Sequence, residues 1–165
     1  MNLFFLSVGL IVVGGILPLF IWRHFIMMKV LAVLTIGSGC LLGLISAVLQ
    51  LTQGEGLAAS RAYQGVFEFA VQIDALAAFF LIAIFFISLL ASLYSYNYMD
   101  NPQKAWRTAA HYLWFGLLVG AMALVVAAHN LLTFMLAWEI MSLSSFFLVI
   151  YDFETSANRR AGYLY

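Results

Sequence analysis

The chain has 165 residues, of which 65% are hydrophobic, 16% aromatic and only 8% charged; soluble domains carry roughly 25% charged residues, so an ordinary water-soluble fold is excluded. Seven basic and seven acidic side chains cancel, leaving no basic field to attract nucleic acid and no acidic tail to engage a soluble partner. A lone cysteine, Cys40, inside an apolar run rules out an internal disulfide, a CxxC zinc site and a cysteine-held iron–sulfur cluster. No cofactor is expected on this chain, and any redox centre would belong to another subunit.

The N-terminal MNLFFLSVGL lacks the positive n-region and small-residue cleavage site of a signal peptide, so it reads as a retained helix. Leu3 to Trp22 forms a first span, closed by Trp22, Arg23 and His24, an aromatic and basic cluster suited to lipid headgroups. Pro18 is placed to bend its last turn. Val30 to Leu51 is a second span, where Gly39 and Gly43 give the GxxxG spacing that lets another helix backbone come close; Cys40 beside them is a packing residue.

Residues 52–73 form a long polar connection. Within it Phe67, Phe69, Val71 and Ile73 alternate with Glu68, Ala70 and Gln72, and period two predicts a short external β-hairpin or strand near 66–73. Asp74 directly precedes the apolar ALAAFFLIAIFFISLLASLYSYNYM, where its carboxylate caps the free N–H groups of a third helix. That helix runs out through Tyr94, Tyr96 and Tyr98, rings that suit an interface. After the polar DNPQKAWRTAA, a fourth span covers His111 to Ala128 and carries Gly116 and Gly120. Since His129 and Asn130 alone precede Leu131, the fourth and fifth spans must form a tight antiparallel hairpin.

The expected fold class is therefore all-α: a polytopic transmembrane bundle of five spans. It divides into two N-terminal helices (1–51), an external loop (52–73), a third helix with a cytoplasmic loop (74–110), and a final unit (111–165). Arg23, Lys29, Lys104, Arg107, Arg159 and Arg160 fall on one side of the membrane and Arg61 on the other. Six against one is a strong positive-inside bias, which predicts an N-terminus outside and a C-terminus inside the cell's inner (cytoplasmic) membrane.

The fifth span, Leu131 to Tyr151, holds one carboxylate, Glu139, about 12 Å from its start at 1.5 Å per residue, and so near mid-membrane. An acidic group there costs on the order of 2.5 to 3.5 kcal/mol on insertion scales, so it normally faces a protein interior or wet cavity and has a function. Desolvation favours the neutral acid and a nearby cation favours the carboxylate, so a mobile lysine or a changing water supply could switch its protonation. That is the chemistry of a proton relay. Helical spacing puts Leu132, Met135, Leu136, Ser142, Leu143 and Phe146 on the face of Glu139, with Ser142 its one polar neighbour. Ser144 and Ser145 are turned further round, and Trp138 points elsewhere. The competing reading is a permanently neutral acid that bonds a neighbouring helix. His111 and His129, at opposite interfaces, are minor candidates for passing protons. No spacing matches zinc, calcium or haem ligation.

The phrase HNLLTFMLAWEIMSLSSFFLVIYDFE, followed by RRAGYLY, resembles the fifth helix of the antiporter-like subunits shared by respiratory complex I, Mrp cation/proton antiporters and membrane-bound hydrogenases. WE-x-x-S-L-S-S is the specific core, and VQIDALAAFF and YSYNYM are similar to the Asp-led third helix and its exit. AAHYLWFGLL and WEIMSLSSFFLV are closest to the large antiporter-like subunit of hydrogenase-4 and formate hydrogenlyase. The resemblance implies a subunit of about fourteen helices with two inverted five-helix repeats, each containing a broken helix. It also implies that the glutamate matching Glu139 pairs with a lysine on the broken seventh helix. The chain is then read as an N-terminal fragment, with a sixth helix starting at Ala161. Three functions follow: a proton-translocating subunit whose electron chemistry lies on partner membrane subunits, an Mrp-type cation/proton antiporter, or a non-transporting membrane scaffold. Membrane lipid is a partner in each.

Overall fold

The computed structural model describes residues 1–53, 57–63 and 67–151. Five helices account for most of them: α1 (Asn2–Ile21), α2 (Phe25–Gln53), α3 (Ala75–Tyr98), α4 (Ala105–Ala127) and α5 (Leu131–Val149). Each is long and apolar enough to cross a bilayer, since about 20 residues at 1.5 Å each match a 30 Å hydrocarbon core. The expected sixth helix from Ala161, and Arg159 and Arg160, lie outside the described residues.

Successive helices run antiparallel, so the ends of α1 and α3 and the starts of α2 and α4 share one side. At that end Trp22 meets Trp106 edge-on at 6.1 Å, Arg23 lies over the Trp22 ring, and Tyr94 stacks on Tyr98. Tryptophan and tyrosine at this depth combine an apolar body with a polar tip that reaches the headgroups. Asn101 receives the Gln103 N–H and opens a short 3-10 turn, Pro102–Lys104, that feeds α4.

At the opposite end two strands, β1 (Leu57–Tyr63) and β2 (Phe67–Ile73), pair antiparallel with Leu57 opposite Ile73 and Tyr63 opposite Phe67. The alternation in β2 is the expected signal, yet its faces are not cleanly split: Ala70 is buried as well as Val71 and Ile73, while Phe69 is exposed. The cause is the α4–α5 turn, which covers the free edge of β2. The Ala70 carbonyl accepts the His129 N–H at 2.9 Å, and the Ala70 N–H donates to Thr133 Oγ1 at 3.1 Å. These bonds satisfy edge groups that would otherwise be left open.

α1 packs between α2 and α4, α3 lies against α2, and α5 lies against α4 and β2. The close crossings use glycine. A Cβ on Gly39 would meet Ile11 of α1 at 2.6 Å, and one on Gly43 would meet the Phe85 ring of α3 at 2.6 Å, so the two glycines of one GxxxG seat different neighbours. A Cβ on Gly116 of α4 would sit 2.8 Å from the Ile11 carbonyl oxygen of α1. That partner is backbone and has no rotamer to move. Gly116→Ala should therefore destabilise the bundle by about 1 to 3 kcal/mol through overpacking, whereas Gly9→Ala, with nothing within 4 Å, should be neutral or slightly stabilising. Thermal unfolding in detergent compares the two.

Two boundaries depart from the apolar pattern. α2 begins at Phe25 and α4 at Ala105, each several residues before the run that hydropathy marks, because short polar stretches at the membrane edge can be helical without being apolar. Lys29 accordingly belongs to a helix and not to a connection, and His111 lies inside α4 and not at its start.

Candidate functional site

Asn130 starts α5, its Oδ1 accepting the Thr133 N–H at 2.9 Å, with Thr133 fully buried. The cap and Thr133's bond to β2 fix the helix start, and with it the depth of Glu139, the ninth of nineteen residues. α5 has the least covered span of the five, 17% of it buried. Ala137 and Ser144 face α4, while Met135, Leu136, Trp138, Glu139, Ile140, Ser142 and Leu143 are exposed. Glu139 thus lies mid-span on a helix face that the described part of the chain leaves open. None of the described side chains hydrogen-bonds or ion-pairs with it.

Of the residues expected to support Glu139, Ser142 and Trp138 share the exposed part of α5 with it, whereas His129 and His111 lie apart. Ser142 is exposed beside Glu139, and its carbonyl accepts the Ser145 hydroxyl at 2.9 Å; Ser144 donates to the Ile140 carbonyl at 2.6 Å. Such back-bonding satisfies a hydroxyl inside an apolar span. Trp138 is exposed and packs at a tilt on Phe134, 5.5 Å between ring centres. His129 is exposed in the α4–α5 turn, ten residues before Glu139 and so about 15 Å away along the chain. Asp74 is at the same end, its Oδ1 accepting the Ala77 N–H at 2.7 Å as the cap of α3.

His111 is not an interfacial end residue. It sits within α4, stacked parallel on Phe115 and edge-on to Tyr112 and Tyr151 at 5.5 to 6.0 Å, with a buried Nδ1 that has no hydrogen-bond partner among the described residues. It is at the opposite end of α4 from His129, so neither histidine is gathered with Glu139. Among the described residues no cluster of three or more His, Cys, Asp or Glu could hold a metal ion. Cys40 is buried in the core.

One ionic feature escaped the sequence reading. Lys29, in the first turns of α2, is buried with 5% of its side chain exposed, and its Nζ donates to Asp100 Oδ1 at 3.0 Å. The ammonium also lies 5.0 Å from the centre of the Phe25 ring and 4.7 Å from that of Tyr96. A lysine flanked by Met28 and Val30 and an aspartate 71 residues away were the only traces of it in sequence.

Five antiparallel apolar helices, interfacial aromatics at one end and a strand pair at the other define a multi-pass membrane protein. Residues 63–107 match the family described as NADH-Ubiquinone oxidoreductase (complex I), chain 5 N-terminus. The chain is 34% identical over 131 residues to hydrogenase-4 component B of Escherichia coli (strain K12), a match covering 77% of this chain and 19% of that protein. The fold is also similar to part of a chain in the membrane-bound sulfane sulfur reductase, an archaeal respiratory membrane complex, with a TM-score of 0.72 and 22% identity over 87% of this chain and 22% of that one. The chain spans about a fifth of the length of both. The chain is thus similar to antiporter-like membrane subunits of complex I-type and hydrogenase-type complexes.

Proposed function

We propose that the chain supplies part of a proton-translocating antiporter-like subunit of an energy-converting oxidoreductase complex, of the hydrogenase or NADH:quinone oxidoreductase type, with Glu139 as an intramembrane proton relay. The supporting observation is the placement of Glu139: mid-span, on the open face of α5, unbonded among the described residues. A relay needs a titratable group at depth that can turn between donor and acceptor. A carboxylate locked by local hydrogen bonds could not do so. The open face is where a cationic or hydrated partner element would approach and set the protonation state. Proton pumping per assembled complex in a Glu139→Gln variant is the test, and undiminished pumping would reject the relay.

The proposal includes an orientation: inner membrane, N-terminus outside, with the Trp22–Trp106 end in the cytoplasm. The basic asymmetry supports it, even with Lys29 moved from a connection into α2. With Cys40 replaced by Ser, His129→Cys should react with an impermeant thiol reagent from outside and Gln103→Cys only from inside. Both positions are exposed, and the opposite labelling pattern would invert the topology.

A further inference from the structure

Two adjoining cavities open at the Trp106 end of α4. One, about 460 Å³, is a groove between α4 and α5 lined by Trp106, Arg107, His111, Trp114, Phe147 and Tyr151 among others. The other, about 330 Å³, is lined by Gln103, Lys104, Trp106 and Arg107, so the two meet across Trp106 and Arg107. Their chemistry differs. The groove is walled by aromatic rings, with Trp114 stacked on Phe147 at 4.1 Å; the smaller cavity gathers two cations and an amide, and among the described residues no carboxylate lines either.

From Lys104 to Trp114 is ten residues, about 15 Å along a helix, which is the depth of one leaflet of a 30 Å hydrocarbon core. A cationic recess at headgroup level leading into an aromatic groove one leaflet deep has the shape and charge of an amphiphile with an anionic head and an apolar tail. We propose that this site holds one anionic phospholipid, its phosphate against Lys104 and Arg107 and an acyl chain along the α4–α5 groove. Both cations also have contacts within the chain. Lysine has three N–H donors and arginine five, so such contacts leave capacity for a phosphate, and basic pockets between membrane helices are suited to anionic headgroups. Among the described residues lining the two cavities, none offers a carboxylate to the cationic head of a zwitterionic lipid.

The test uses the 165-residue chain in liposomes, with Trp114 as the single tryptophan (Trp22, Trp106 and Trp138 replaced by Phe) and brominated phosphatidylglycerol or phosphatidylcholine as quenchers. Trp114 should prefer the anionic lipid by on the order of tenfold, since about fivefold per basic residue would give two cations roughly 25-fold and salt screens part of it. A protein retaining only Trp138, on the other face of α5, should show a ratio near one. Lys104→Gln with Arg107→Gln should bring the Trp114 ratio near one, and Lys104→Arg with Arg107→Lys should preserve it. If the neutral pair fails to fold, salt titration of the parent decides, since an electrostatic preference must fall as salt rises. Equal quenching by both lipids would show ordinary annular lipid and overturn the proposal. Quenching of Trp114 by neither lipid would show that protein covers the groove, and would overturn it too.

Discussion

Glu139→Gln in the full assembly is expected to leave the complex at normal abundance while proton pumping falls on the order of 100-fold, together with any electron transfer strictly coupled to it. The substitution keeps shape and most hydrogen-bonding capacity and removes only the exchangeable proton. Groups that transfer protons typically contribute about 10² to 10⁴ in rate, so losing the only titratable side chain in α5 should fall in that range. Glu139→Asp should lie between wild type and Gln, because it still titrates but retracts by one methylene, and misplacement of about 1 Å can cost about 100-fold. A carboxyl that served only as a neutral bond to a neighbouring helix would behave in the opposite way. Both variants would then reduce the amount of assembled complex, by a loss near 0.6 to 2 kcal/mol, and activity per complex would be unchanged. Pumping normalised to assembled complex separates the two outcomes.

How far the sequence revealed this arrangement depends on the range of the interaction involved. The Asp74 cap and the Asn130 turn are local: one polar side chain before an apolar run bonds a backbone N–H three residues on, and its sequence signature is as short as the contact. The five spans are legible because lipid demands apolar length, and β2 because its side chains alternate. Its partner β1, LAASRAY, carries no comparable alternation of bulky residues and was missed. Helix starts at Phe25 and Ala105 were missed because hydropathy reports contact with lipid, not backbone hydrogen bonding. Glu139 stood out as a lone carboxylate in an apolar helix, and its open face is consistent with a partner element elsewhere in the assembly. The Lys29–Asp100 pair was hidden because nothing in either local window specifies a contact across 71 residues.

That pair makes an asymmetric prediction. Lys29 is buried at 5% side-chain exposure and Asp100 is 74% exposed, so removing one partner is not equivalent to removing the other. Lys29→Met keeps the apolar stem against Phe25 and Tyr96 and leaves an aspartate that water already solvates; its cost should be under about 1 kcal/mol, as for partly exposed ion pairs, plus a lost cation–π contact of about 0.5 to 1 kcal/mol. Asp100→Ala instead leaves an ammonium buried with rings but no anion. An unpaired buried charged donor costs about 1 to 3 kcal/mol or more, and the variant should also loosen the junction between the start of α2 and the end of α3. Lys29→Met combined with Asp100→Ala should recover most of that loss, because the buried charge has gone. Unfolding in mixed micelles, followed for the four proteins of this cycle, measures each difference. If Lys29→Met proves the more damaging single change, the ammonium must be stabilised by its rings and by water more than by Asp100.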